Sequence, residues 1–133
     1  MIKEIATYLK TLLGTNWVIG TNLFAGFAPS SITDDCLIII ESGGVPTFYL
    51  PDRLEKTIQI ISRAEDYQDA MDNAILAYQA LHGKAGITLS AVGSGESYYV
   101  NTIAAITSPQ SLGQDEKGLF NISTNFVFKL QAA

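Results

Sequence analysis

Residues 56–83, KTIQIISRAEDYQDAMDNAILAYQALHG, decide the fold. In the first half Thr57, Gln59, Ile61 and Arg63 alternate with Ile58, Ile60 and Ser62, the two-residue period of a pleated strand. From Tyr67 the period changes. Ala70, Met71, Ala74, Tyr78 and Leu81 are spaced three or four apart, which sets them along one side of an α-helix that Gly83 ends. Glu65, Asp66 and Asp69 fall at the start of that helix, where carboxylates meet unpaired N–H groups and the positive end of the dipole. A strand that passes almost directly into an amphipathic helix needs a sheet on one side and a partner layer on the other.

The C-terminal stretch supplies a second strand. Phe120, Ile122, Thr124, Phe126, Phe128 and Leu130 share one face, and Asn121, Ser123, Asn125, Lys129 and Gln131 share the other, with Val127 the exception. Upstream, consecutive Leu37, Ile38, Ile39 and Ile40 read as a buried strand over 35–42, broken by Gly43 and Gly44. Residues 87–92 and 98–106 read as further strands, with GSGES a turn between them. Ile2, Ile5, Leu9, Leu12 and Leu13 have helical spacing before Gly14, which predicts an N-terminal amphipathic helix over 2–13. Segment 14–34, with three glycines and Pro29 among Trp17, Leu23, Phe24 and Phe27, reads as irregular or short-stranded but packed. Segment 107–118 reads as a polar connection. The expectation is an α+β fold: a mainly antiparallel sheet of about four strands, packed with the N-terminal helix and one long helix.

Composition narrows the function. The chain has 133 residues, 47% of them hydrophobic and 10% aromatic, enough to bury a core as one domain spanning 1–133. A net charge of −5, with eight scattered Lys and Arg, argues against non-specific binding to nucleic acid. Cys36, the one cysteine, lies in the apolar run CLIII and reads as a reduced core residue. No basic segment followed by an apolar one opens the chain, and no apolar run approaches the ~20 residues that span a bilayer, so a cytoplasmic site of synthesis is expected.

Reaction-bearing constellations are not legible. His82, the single histidine, stands at the C-terminus of the long helix, where a cationic ring would complement the dipole. No G-x-S-x-G elbow accompanies it. Gly83-Lys84 fails as a phosphate loop, because Tyr78 replaces the first glycine and Ala85 the magnesium-binding hydroxyl. Glu65, Asp66, Asp69 and Asp72 read as a solvated acidic helix start, since no His or Cys joins them as a metal ligand. The expected catalytic, cofactor-binding and metal-binding residues are none, and the chain is expected not to be an enzyme.

The order of features resembles a known family. The N-terminal helix, the strand ending in Ser42-Gly43-Gly44, the block 58–81, and the turn S-P-x-x-L-G-x-D-E-x-G over 108–118 before FNISTNFVF look like phage minor capsid and tail-terminator proteins. The likeness runs from residue 35 to 130. It implies a virion protein assembled in the host cytoplasm, which forms a homo-oligomeric ring, usually a hexamer, at the head-proximal end of the tail. The implied partners are further copies of the chain, the tail tube protein and a neck, connector or head-tail adaptor protein. Genomic DNA would pass through such a ring without sequence-specific recognition, and no membrane is involved. The alternatives in the same reading are a head-completion or connector-adaptor ring subunit, and a small ligand-binding domain. A ring subunit needs surfaces beyond its own core. The candidates are Val45, Phe48, Tyr49, Leu50 and Arg53 in and beside the proline-flanked loop, and Gln110, Leu112, Asp115, Glu116 and Lys117 in the polar connection. The loop can fold back on its own core or present an anchor to another chain. Replacing Phe48 and Tyr49 by Asp separates these readings: assembly is expected to suffer more than monomer folding, and loss of the folded monomer would put the loop in the core.

Overall fold

In the computed structural model, residues 1–29, 31–46 and 53–132 are described. The elements are α1 (Ile2–Leu13), β1 (Leu23–Ala25), β2 (Cys36–Pro46), β3 (Arg53–Ala64), α2 (Tyr67–Leu81), β4 (Ala85–Leu89), β5 (Tyr98–Ala105), β6 (Gln110–Gln114) and β7 (Phe120–Ala132). The seven strands form one sheet in the order β1-β2-β3-β7-β5-β4, with β6 also paired to β7.

This overturns the expected sheet of about four antiparallel strands. The protein is mostly β, with 43% of its residues in seven strands of a curled, mixed half-barrel sheet beside two helices. Three local causes account for the difference. β1 lies in the glycine-rich segment and runs parallel to β2, pairing Leu23 with Leu37 and Ala25 with Ile39. Asn22 orders the turn before it, because its Oδ1 accepts from Val18 N–H at 2.7 Å while its Nδ2 donates to Asn16 C=O at 2.8 Å. β2 does not stop at the glycines. The ladder shifts register between Glu41 and Gly44 and continues to Pro46, so the pair acts as a β-bulge and not as a breaker. β6 hides in the polar connection because all five of its residues are exposed, leaving no apolar alternation to read.

At the centre, β3 and β7 pair antiparallel without a break from Arg53↔Gln131 to Ala64↔Phe120. The even-numbered face of both strands is the core face: Ile58, Ile60, Phe126 and Phe128 are all buried there. The apolar alternation read from the last strand is the face that the structure buries. Both helices cover this side. α1 inserts Ile5, Ala6 and Leu9, and packs against β1, β2 and β4, so the two margins of the curled sheet meet the same helix.

The 56–83 stretch folds as one unit. Two residues separate β3 from α2, and Asp66 caps the helix by accepting from Asp69 N–H at 3.2 Å. Buried Ser62 donates to Ala70 C=O at 2.7 Å, tying the first turn of the helix to the strand that precedes it. The buried face of α2 is narrow, being Ala70, Ala74, Ala77 and Leu81, and the three alanines let the helix lie close to the sheet. Tyr67 then meets Phe120 edge to face, with ring centroids 5.6 Å apart.

On the opposite face of the sheet, a second cluster forms near β2. There Cys36, Ile38 and Phe24 pack with Ala28 and Ile32 of the segment leading into β2. Burial raises the Cys36 thiol above its ordinary value while the Arg63 charge opposes that shift, so the side chain is a neutral core residue.

If the β3–β7 pair carries the fold, Phe126→Ala should cost about 3–5 kcal/mol by cavity formation. Lys129→Ala, on the outer face of the same strand, should cost within about 0.5 kcal/mol. Urea unfolding of both variants checks this, and equal costs would show that β7 does not organise the core.

Candidate assembly surfaces

The candidate residues that the structure describes lie towards the two ends of the central strand pair. β3 runs from Arg53 to Ala64, and its pairing sets Arg53 opposite Gln131 and Ala64 opposite Phe120. At about 3.3 Å per residue the two ends lie roughly 36 Å apart. Val45 and Arg53 stand at one end, near the close of β2 and at the start of β3. Phe48, Tyr49 and Leu50 lie outside the described residues. At the other end stand β6, with Gln110 and Leu112, and the β6–β7 turn, with Asp115, Glu116 and Lys117. The structure therefore groups the second set of candidate residues and holds Val45 and Arg53 away from it.

The β6–β7 turn is rigidly built. Asp115 Oδ1 accepts from the N–H groups of Lys117 at 2.9 Å and Leu119 at 3.1 Å, and Gly118 N–H donates to Asp115 C=O at 3.0 Å. Gly118 has φ +79°, a conformation costly for residues with a Cβ. Asp115 thus serves as the brace of the turn, while Glu116 and Lys117 are exposed at its tip. Desolvation alone would raise the Asp115 carboxyl. The Leu119 and Lys117 N–H groups, the Asn121 amide and the Arg63 charge outweigh that effect and hold it below its usual value.

Beside this turn is a hollow of about 310 Å³ lined by Ala28, Arg63, Asp115, Glu116 and Lys117. Arg63 donates through Nη2 to Ile32 C=O at 3.1 Å, fixing the segment that covers β2, and its Nε is buried with no hydrogen-bond partner among the described residues. A second hollow of about 310 Å³, mostly apolar, lies between α1 and β1. Lys3, Ala6 and Thr7 of α1 line it together with Ile19, Phe27 and Val92. Phe27 is 77% exposed, and Val18 and Ile19 are also exposed. Sequence reading missed this groove, because only the parallel placement of β1 brings residues 19–27 against α1. The cluster of aromatic residues in a glycine-rich segment was the available signal.

Two ionisable features mark the ends of α2. His82 is the C-cap residue of α2: its Nδ1 accepts from Ala105 N–H at 3.0 Å and its ring stacks on Tyr78 with centroids 5.2 Å apart. The acidic start of α2 is joined by Asp34 and Asp35. Burial raises the Asp35 carboxyl, the neighbouring charge of Asp69 adds to this, and a 3.4 Å bond from Asn73 opposes it. Among the described residues no group of three or more His, Cys, Asp or Glu side chains is arranged to hold a metal ion. Among the same residues no helix is long and apolar enough to cross a membrane.

Residues 8–132 match the family described as bacteriophage tail terminator protein. The chain belongs to that family. The match covers nearly the whole chain, including the 14–34 segment that carries β1. No curated protein matches the chain. As a tail terminator family member it is a structural protein of the phage tail, a component of the virion that contacts other tail or neck proteins.

The lowered Asp115 carboxyl gives a pH dependence with a definite sign. Its ionised form is favoured by the folded turn, so its stabilising effect is complete above the usual value of 3.8 and is lost as pH falls through the lower folded value. An NMR titration of the Lys117 and Leu119 amide protons should show a common midpoint below 3.8, absent in Asp115→Asn. A midpoint at or above 3.8 would show that the turn does not hold the carboxylate.

Proposed function

We propose that this chain is the subunit of a closed ring, a hexamer by family likeness, that caps the head-proximal end of the tail tube and joins it to the neck or connector. The family match over residues 8–132 is the observation that carries this reading. The fold is compatible with it in a specific way. A ring of identical copies closes through two different, complementary surfaces on each subunit, and it must also meet a different protein above and below. The long β3–β7 pair supplies that separation, with Val45 and Arg53 at one end and the Gln110–Lys117 hairpin at the other.

Under this reading the 45–53 region and the β6–β7 hairpin engage different neighbours. The net charge of −5 suits a collar through which a duplex passes, because DNA is guided past an acidic lining without being held. A head-completion or adaptor subunit is the competing place in the same neck. The sheet-rich architecture and the terminator match both favour the tail end over a helical adaptor.

Electron microscopy of particles that lack the protein tests the proposal. Tails of irregular length, detached from heads, are the expected result. Tails of normal length firmly joined to heads would contradict it.

A further inference from the structure

The two margins of the sheet carry complementary features on one row of residues. Following the ladder sideways, Leu23 pairs with Leu37, Leu37 with Ser62, Ser62 with Ile122, and Ile122 with Ser111. The row therefore runs β1-β2-β3-β7-β6, four strand spacings of about 4.8 Å, or roughly 19 Å along the sheet. Next to its β1 end lies the apolar groove over α1, lined by Phe24, Phe27 and Lys3 among others. At its β6 end stands Leu112, next to Ser111 and 56% exposed.

The β6 end has the form of an insert. Its strand is uncharged and exposed along its length, and among the described residues it pairs on one side only, to β7. Unpaired strand edges invite further pairing, and a short bulged strand such as this one limits that to a small, specific contact. Glu116 is exposed at the tip of the turn four residues after Leu112, so the apolar side chain arrives with a carboxylate that suits the Lys3 ammonium at the groove, while Asp115 braces the turn and Lys117 follows on its far side. The β1 margin cannot play the same part, because its own turn occupies its outer side: Gly20 N–H donates to Leu23 C=O at 2.9 Å.

We propose that Leu112 and the acidic turn after it, on the β6 margin of one copy, seat in the α1–β1 groove of the next copy. Each chain then donates at one margin and accepts at the other. Such a contact is heterologous, and it closes into a ring or runs on according to the angle between successive copies. The inference rests on the ring reading above and adds to it the surface that joins the copies.

Tails purified from particles carrying Phe27→Cys with Leu112→Cys test the contact, since the native Cys36 is buried and should stay silent. Mild oxidation should convert the double variant into cross-linked multimers up to the full ring, while each single variant stays monomeric on a non-reducing gel. Monomer alone from the double variant would overturn the inference, and so would dimers from Leu112→Cys alone, which would mean that two β6 edges face each other. Imaging the same tails separates the two ideas: a ring without cross-links removes this contact but keeps the ring, whereas no ring removes the function proposed above. Leu112→Asp reads the contact without cysteines. It should leave the melting temperature of the monomer unchanged and abolish incorporation into tails, and normal incorporation would overturn the inference.

Discussion

Everything in this molecule is referred to the pairing of β3 with β7. A pleated strand turns alternate side chains to opposite faces, so a slip of one residue would send Phe126 and Phe128 into solvent and bring Asn125 and Val127 inward. The aromatic pair therefore fixes the register, and the register fixes the rest. It sets Ser62 under Ala70 so that α2 starts where it does, and it holds the β2–β3 end and the β6–β7 turn at opposite ends of the sheet. The outer face repeats the register in polar form: Gln59 Nε2 donates to Ser123 Oγ at 2.8 Å, and Lys129 lies 3.7 Å from Glu55. That exposed ion pair adds little to stability, but it agrees with the core about alignment.

The central layer was legible because its signals are periodic. Alternation in 120–130 marks the buried face of β7, and the change of period at Tyr67 marks the passage from β3 to α2. Asp66 and Gly83 bound the helix by chemistry that depends on neighbours in the chain alone. What escaped the sequence depends on distant partners. β1 is three residues long and exists because β2 offers it a parallel edge, and β6 exists because β7 offers an antiparallel one. Two glycines that usually stop a strand instead let β2 bulge and continue.

The candidate surfaces divide in the same way. The Asp115 turn shows in sequence as an Asp three residues before a Gly, and the structure adds the bonds that stiffen it. The groove over α1 could not be read, since it joins residues 3–7, 19–27 and 92 through the curl of the sheet. His82 stands at the helix C-terminus, where its place in the sequence put it, and the contact of its ring with an N–H of β5 depends on the fold. The acidic start of α2 gains Asp35 as a crowded neighbour, a departure from simple helix capping that reflects where β2 begins.

This protein is read as a part shaped for contact, whose fold holds different surfaces apart at fixed spacing. A cryo-EM map of the head-proximal end of the tail tests that claim most directly. The account predicts a closed ring of identical copies of this chain seated on the last turn of the tube, with the β2–β3 end and the β6–β7 turn of each copy touching different neighbours. A single copy at that position, or a ring in which both regions face open solvent, would contradict it.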